Sequence, residues 1–360
     1  MIITVLTFVS THDNLCLVIR FQILARTETG GGPEGPLFFS IKYISAVLIM
    51  SKPFLSYDQQ LDKLINDKKL IIPDQNKAMS ILKNVGYFSL IGGYKDPFIN
   101  PMTRIYKNNV SIDDIYALYY FDQILRELIF KYLCQIERKI RQLISYNFCH
   151  FYGEQQSAYL NPANYNNSKK NSNALNRLIS ILKYQAYHNT EHLYLVHHRQ
   201  AHHNVPLWVL VNALSYGQIS KFYALLSSQL QSNISKEFPK INERELEQYL
   251  KILTLFRNVC AHNERLFSFR TQIDFPDTAL HNKLNIRKKG TQYLQGKRDL
   301  FGLVIAFRYL LPPQSFLDFK RALIKAIRHC SKQSSQIDTA TLLMMMGFPD
   351  NWETITYYHI

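Results

Sequence analysis

Arg257, Asn258 and His262 bring a guanidinium, a carboxamide and an imidazole into one six-residue span. The residues around them have helical spacing. Leu250, Leu253, Phe256 and Cys260 fall on one side and should face a core. Thr254, Asn258, His262 and Arg265 recur at steps of four, four and three on another side. Asn258 and His262 are then one turn apart on a shared face. Arg257 is offset by one residue and reaches that stripe only by the length of its side chain. Such a set suits RNA cleavage without a metal. Histidine titrates near neutrality and can take the proton of a ribose 2′-hydroxyl as it attacks the adjacent phosphate. A fixed guanidinium offsets the charge that builds on the phosphate, and an asparagine orients either the histidine or the phosphate. One histidine does not comfortably serve as both base and acid, so a second copy of this helix across a two-fold axis would complete the set. Ordinary exposed polar stripes share this spacing, so the spacing alone does not establish catalysis.

The elements that must hold this helix read as helices too. Ser56 is positioned to cap a helix carrying Leu61, Leu64 and Ile65, and Asp74 to cap one carrying Met79, Leu82 and Lys83. Gly86, Gly92, Gly93 and Pro97 punctuate a connection up to about residue 110. Ser111 with Asp114 resembles a capping box ahead of the longest helix, whose apolar stripe runs from Ile115 through Leu125, Ile129, Leu133, Ile136 and Ile140 to Leu143. Glu137 and Arg141 stand four apart beside that stripe. They read either as a surface pair or as a buried pair supporting the active centre, and spacing alone favours the surface pair.

Residues 161–176 read as a loop, followed by a helix over Ala174–Tyr187. Six histidines from His188 to His203 lack metal-ligand spacing and read as a polar connection. Pro206 suits the first turn of a helix carrying Trp208 and Leu214 and ending at Gly217. Trp208 reads as core rather than as an RNA-stacking platform. Further helices are expected over Ser220–Leu230, Glu245–Glu264 and Asp299–Arg328, the last with a break at Pro312-Pro313. Arg287, Lys288, Lys289, Lys297 and Arg298 form a basic run around Gly290 and Gly296, either a solvated loop or a phosphate-contacting patch. No internal repeat and no convincing run of alternating strands emerges.

Composition bounds the function. A chain of 360 residues with 47% hydrophobic content has enough apolar surface for a sizeable core. The net charge of +15 favours an anionic partner. No uninterrupted run of 18 apolar residues argues for a membrane span, so RNA is the expected partner, without a membrane, in the cytoplasm. Five scattered cysteines with no CxxC point to small buried hydrophobes, not to a disulfide framework or a zinc site. The first 49 residues differ from the rest. Arg20, Arg26 and Lys42 balance Asp13, Glu28 and Glu34, so the whole +15 lies downstream. Helical periodicity is missing there, Gly30 to Pro36 is a glycine- and proline-rich stretch, and the apolar run Met1 to Val9 lacks the basic start of a secretory signal. Translation is expected to begin at Met50, the alternative being a genuine, poorly ordered extension.

The wider sequence carries a resemblance. FRNVCAHNERLF from Phe256 looks like the signature of the Abi-like family (AbiD and AbiF type abortive-infection proteins) of the HEPN superfamily, whose shared motif is Arg, a polar residue, a few variable residues, then His. KPFLSYDQQLDKL from Lys52, ILKNVGYFSLIGGY from Ile81, IERKIRQLISY from Ile136, VPLWVLVNALSYGQISKFY from Val205 and MGFPDNW from Met346 are similar as well. The resemblance implies an all-α, HEPN-like helical bundle: a helical segment over 50–110, the HEPN-like domain over 111–330 and a helical tail over 331–360. It implies a metal-independent endoribonuclease of phage defence, with no cofactor and a composite active site in a homodimer. Motif residues carry over to Arg257, Asn258 and His262. Glu137, Arg141, Trp208 and Gly217 sit where the family pattern also favours them, and Arg265 is taken with Glu137 and Arg141 as supporting. The alternative is a non-catalytic RNA-binding module partnered with a small RNA or an antitoxin. A third reading is an interaction protein that senses a phage component through the segment before residue 110.

Overall fold

The computed structural model describes residues 53–360 in full and the main chain of 2–11, 14–26 and 39–49. The glycine- and proline-rich stretch at 30–36 and the expected start at Met50 lie outside the described residues. The chain divides into two units, Met1–Gln60 and Leu61–Ile360.

The first unit holds three antiparallel strands in sequence order: β1 (Ile2–Thr11), β2 (Asn14–Arg26) and β3 (Phe39–Ile49). Ile3 lies opposite Gln22, and Arg20 opposite Ser45. No strand was expected here, because apolar residues run on without clear alternation. The composition, rich in Val, Ile, Phe and Thr, is nevertheless what a pleated chain prefers. Helix α1 (Tyr57–Asp62) follows. Ser56 caps it as expected: its Oγ accepts from the Gln59 N–H at 3.3 Å, and Gln59 Oε1 accepts from the Ser56 N–H at 2.9 Å.

The second unit is helical, with α2 (Gln75–Val85), α3 (Ile112–Tyr152), α4 (Gln156–Tyr159), α5 (Ser172–Tyr187), α6 (Leu193–His202), α7 (Leu207–Leu210), α8 (Tyr216–Leu225), α9 (Ser228–Ser235), α10 (Glu243–Ala261), α11 (Ala279–Lys283), α12 (Leu300–Leu310), α13 (Pro313–Gln333) and α14 (Thr339–Met346). Its described strands are β4 (Lys288–Lys289) and β5 (Gln292–Tyr293), a two-residue hairpin. The all-α expectation therefore holds for this unit.

Helix α3 is the spine. It has 41 residues, about 60 Å at 1.5 Å per residue. The Ser111–Asp114 capping box starts it, with the Asp114 N–H reaching Ser111 Oγ at 3.3 Å and the Ser111 N–H reaching Asp114 Oδ2 at 2.9 Å. Its expected stripe is buried from Ile115 to Ile140, while Leu143 is only half-buried and Ile144 takes the inward place beside it. Against it pack α13, α10, α9, α8 and α7.

Three expectations about element ends need correction. Gly217 does not end a helix. The segment after Pro206 is a single turn, α7, followed by a 3-10 turn at Val211–Ala213, and Ser215 then caps α8 with Gly217 inside its first turn. The helix expected over Ser220–Leu230 is two helices, because Ser227 caps a fresh start at α9. The histidine-rich stretch is not only a connection, since most of it forms α6. The break at Pro312-Pro313 does separate α12 from α13.

Candidate active site

Helix α10 begins in a capping box: Asn242 Oδ1 accepts from the Glu245 N–H at 2.9 Å, and Glu245 Oε2 accepts from the Asn242 N–H at 2.9 Å. Leu250, Leu253, Phe256 and Cys260 are buried, as their spacing predicts. The helix stops at Ala261, three residues short of the expected Glu264. The reason is local. Asn263 takes a left-handed φ of 55°. The Glu264 N–H returns to the Val259 carbonyl at 3.0 Å and the Asn263 N–H to that of Cys260 at 3.4 Å. This double closure satisfies carbonyls that the helix end would otherwise orphan.

His262 is the residue at that cap. Its N–H still donates to the Asn258 carbonyl at 2.9 Å, so Asn258 and His262 remain one turn apart, and both side chains are exposed. Arg265 lies beyond the helix end and does not join their stripe. Its Nη1 donates to the Gly93 carbonyl at 2.8 Å and to Asp96 Oδ2 at 3.1 Å.

Arg257 is directed toward α3. Its guanidinium lies over the Phe130 ring of α3, 5.9 Å from the centroid, a cation–π arrangement. Its Nε is buried without a hydrogen-bond partner. Close by on α3 is Glu137, only 6% exposed. Arg141 Nη2 donates to Glu137 Oε1 and to the Leu214 carbonyl, both at 2.5 Å. Glu137 is buried and Arg141 partly so, and the pair is therefore not the exposed surface pair that spacing favours. Burial pushes the Glu137 carboxyl up, while the charges of Arg141 and Arg257 pull against that shift. Arg257 is thus held toward α3, where an aromatic face and a carboxylate attract it.

The segment leaving His262 is pinned by a group that sequence reasoning missed. Asp122 of α3 is fully buried. Its carboxylate accepts from the backbone N–H of Leu266 at 2.9 Å and of Phe267 at 2.6 Å, from the Tyr94 hydroxyl at 2.7 Å and from Arg126 Nη1 at 2.7 Å. Arg126 also donates to the Glu264 carbonyl at 3.3 Å. Burial holds the Asp122 carboxyl above its ordinary range, against the pull of those N–H groups and of Arg126. The available signal was an Asp and an Arg four apart among Leu118, Leu125 and Ile129, inside a stripe otherwise apolar.

Beside the helix end lies an open cleft of about 440 Å³, lined in part by Gln123, Glu127 and Phe130 of α3 and by Cys260 and Asn263. Burial pushes the Cys260 thiol up to about 12, which favours its neutral form.

The remaining expected site residues separate. Lys297 bonds the Phe275 carbonyl and Asp277, and Arg298 bonds Asp274. Those two are engaged in holding their own loop. Arg287, Lys288 and Lys289 are exposed at the β4–β5 hairpin, with Lys288 Nζ 4.3 Å from the Tyr293 ring centroid. Trp208 is not core: it is 49% exposed. The rings of His197, His198 and His202 gather 5.2–5.8 Å apart on α6. Among the described residues no group of three or more His, Cys, Asp or Glu side chains is arranged to hold a metal, and no helix is long and apolar enough to cross a membrane.

Comparison with known proteins adds one finding. A family model described as Abi-like protein matches residues 80–268, just over half of the 360. The match takes in α3, all of α10, the Arg257–His262 motif and the Leu266-Phe267 backbone that Asp122 holds. Neither the curated proteins nor the solved structures yield a match. The matched span, together with the helical unit that carries it, places the chain in the Abi-like family.

Proposed function

We propose that this Abi-like protein is a metal-independent endoribonuclease with a HEPN-like active centre, acting in abortive-infection defence against phage. The observation that carries the reading is the end of α10. An imidazole and a carboxamide project into solvent from a turn that is closed by Asn263 and clamped to α3 by Asp122, so the reactive groups are pre-positioned. His262 removes the 2′-hydroxyl proton or protonates the leaving 5′-oxygen. Arg257 stabilises the charged phosphate, and Asn258 orients one of them. Exposure of Asn258 and His262 fits a composite site in which a second copy of the helix supplies the complementary histidine. The products are a 2′,3′-cyclic phosphate and a 5′-hydroxyl.

One specific observation favours a second reading. The Arg257 guanidinium is engaged with the Phe130 ring and the charge of Glu137. A non-catalytic RNA-binding protein, partnered with a small RNA or an antitoxin, needs no approach of Arg257 to His262. Expressing wild type, Arg257→Ala and His262→Ala in cells separates the two. The ribonuclease reading predicts arrested growth and degraded RNA with wild type only. Growth arrest with intact RNA in all three contradicts it.

A further inference from the structure

We propose that the cleft beside Trp208 is a nucleobase subsite, which takes one unpaired base of a single-stranded RNA with its phosphate. The inference rests on the reading of the protein as one that acts on RNA.

Trp208 sits on α7, a single turn whose neighbours Leu207 and Leu210 are fully buried. Those anchors leave the indole on the outer side, where it forms one wall of a cleft of about 440 Å³. That volume falls in the range of about 300–1,000 Å³ usual for small-molecule sites. The opposite wall is α3. Among the cleft's lining residues are three cations, Arg138, Lys139 and Arg141, and no carboxylate. Two of the three are partly engaged: Lys139 with the Glu237 carbonyl at 3.2 Å, and Arg141 with Glu137 and the Leu214 carbonyl. Arg138 is exposed and stands at the cleft as the natural phosphate contact. An exposed indole beside a cationic wall is the arrangement by which proteins hold unpaired bases: the ring stacks the base, and the cations neutralise the backbone. Gln142 also lines the cleft, as does Asn212, whose amide donates to the Trp208 carbonyl at 2.9 Å and so braces the turn that carries the indole. Arg141 lines the cleft while its guanidinium bonds Glu137 of α3.

The chain offers its own reporter. It has two tryptophans, and the other, Trp352, is 1% exposed. Quenching of tryptophan emission by added RNA therefore reads Trp208. The test titrates the His262→Ala protein, which on the ribonuclease reading leaves RNA uncut, with a single-stranded oligouridylate, with an RNA duplex of equal length and with polyglutamate. Saturable quenching by the single strand alone is expected. Trp208→Ala should weaken binding of the oligouridylate, read by filter retention, about 5- to 150-fold, and Trp208→Phe should restore most of it. Arg138→Ala should lower the salt slope by about one. Oligouridylate binding without quenching overturns the proposal, as does equal binding by Trp208→Ala. Equal quenching by the duplex or by polyglutamate also overturns it, the latter in favour of an acidic polypeptide. If wild type still cuts RNA while quenching is absent, the subsite alone fails. If the chain neither cuts nor binds RNA, the RNA reading falls with it.

Discussion

Replacing Asp122 by alanine should loosen the candidate site and weaken the whole helical unit. The side chain is fully buried and Arg126 is 5% exposed, so deletion strands a cation with little access to water. Removing one partner of a buried pair costs about 3–5 kcal/mol. The backbone donors of Leu266 and Phe267 lose their acceptor as well, each worth about 1–3 kcal/mol if left unpaired. These terms overlap, and admitted water satisfies some of them, so a net loss of about 4–6 kcal/mol is expected. At roughly 2 °C per kcal/mol for a unit of this size, the melting temperature should fall by about 8–12 °C. Asp122→Asn keeps the shape and one acceptor, and should fall between that and wild type. Thermal unfolding followed by far-ultraviolet circular dichroism measures the shift. RNA cleavage well below the melting point should also drop in both variants, because the turn after His262 is no longer held. A melting temperature for Asp122→Ala within 2 °C of wild type would refute the reasoning.

Other consequences follow from the same packing. Asp299, whose carboxylate accepts from the Gly296 and Gly302 N–H groups at 3.0 Å, is raised by burial to about 6. Its unfolded value is about 3.9, so folding binds a proton between those values. The stability this confers is full below about 4 and is lost as pH rises to about 6, by roughly 3 kcal/mol. Urea unfolding at pH 4 and 6.5 of wild type and Asp299→Asn reads that difference, which should be smaller in the variant. Gly347 has φ +84°, and an added Cβ would meet Asp299 Cβ at 2.6 Å. Gly347→Ala should therefore cost about 1–3 kcal/mol or more, seen as a lower urea midpoint. His262→Ala removes an exposed side chain at a helix end, so its melting temperature should stay within about 2 °C of wild type.

Much of this architecture is legible in the sequence because its signals are local. Ser56, Asp74 and the Ser111–Asp114 box mark helix starts by hydrogen bonds that span three residues, and the α3 stripe reflects a simple period. The Leu250–Cys260 face could be read for the same reason. What could not be read depends on partners distant in sequence. Trp208 lies in an apolar run and looks like core, yet Leu207 and Leu210 take the inward positions of a single turn and leave the indole outside. Glu137 and Arg141 look like any exposed pair, but the fold buries Glu137 and brings the Leu214 carbonyl to Arg141. Arg257 has the length to reach the Asn258–His262 stripe, but its spacing could not show that Phe130 and Glu137 of α3 attract it. Asp122 was legible in principle: a carboxylate inside an apolar stripe must find donors, and these come from residues 144 and 145 positions later. The early end of α10 depends on Asn263 adopting a left-handed turn, which its residue type permits without requiring it.

The central claim is that the Arg257–His262 segment cuts RNA without a metal. Its most direct test incubates purified wild type and His262→Ala with RNA in the presence of EDTA and analyses the ends of the products. The account predicts cleavage by wild type undiminished by the chelator, products ending in a 2′,3′-cyclic phosphate, and a loss of about 10²- to 10⁴-fold in the folded variant. Cleavage by His262→Ala at the wild-type rate, or cleavage abolished by EDTA, would contradict it.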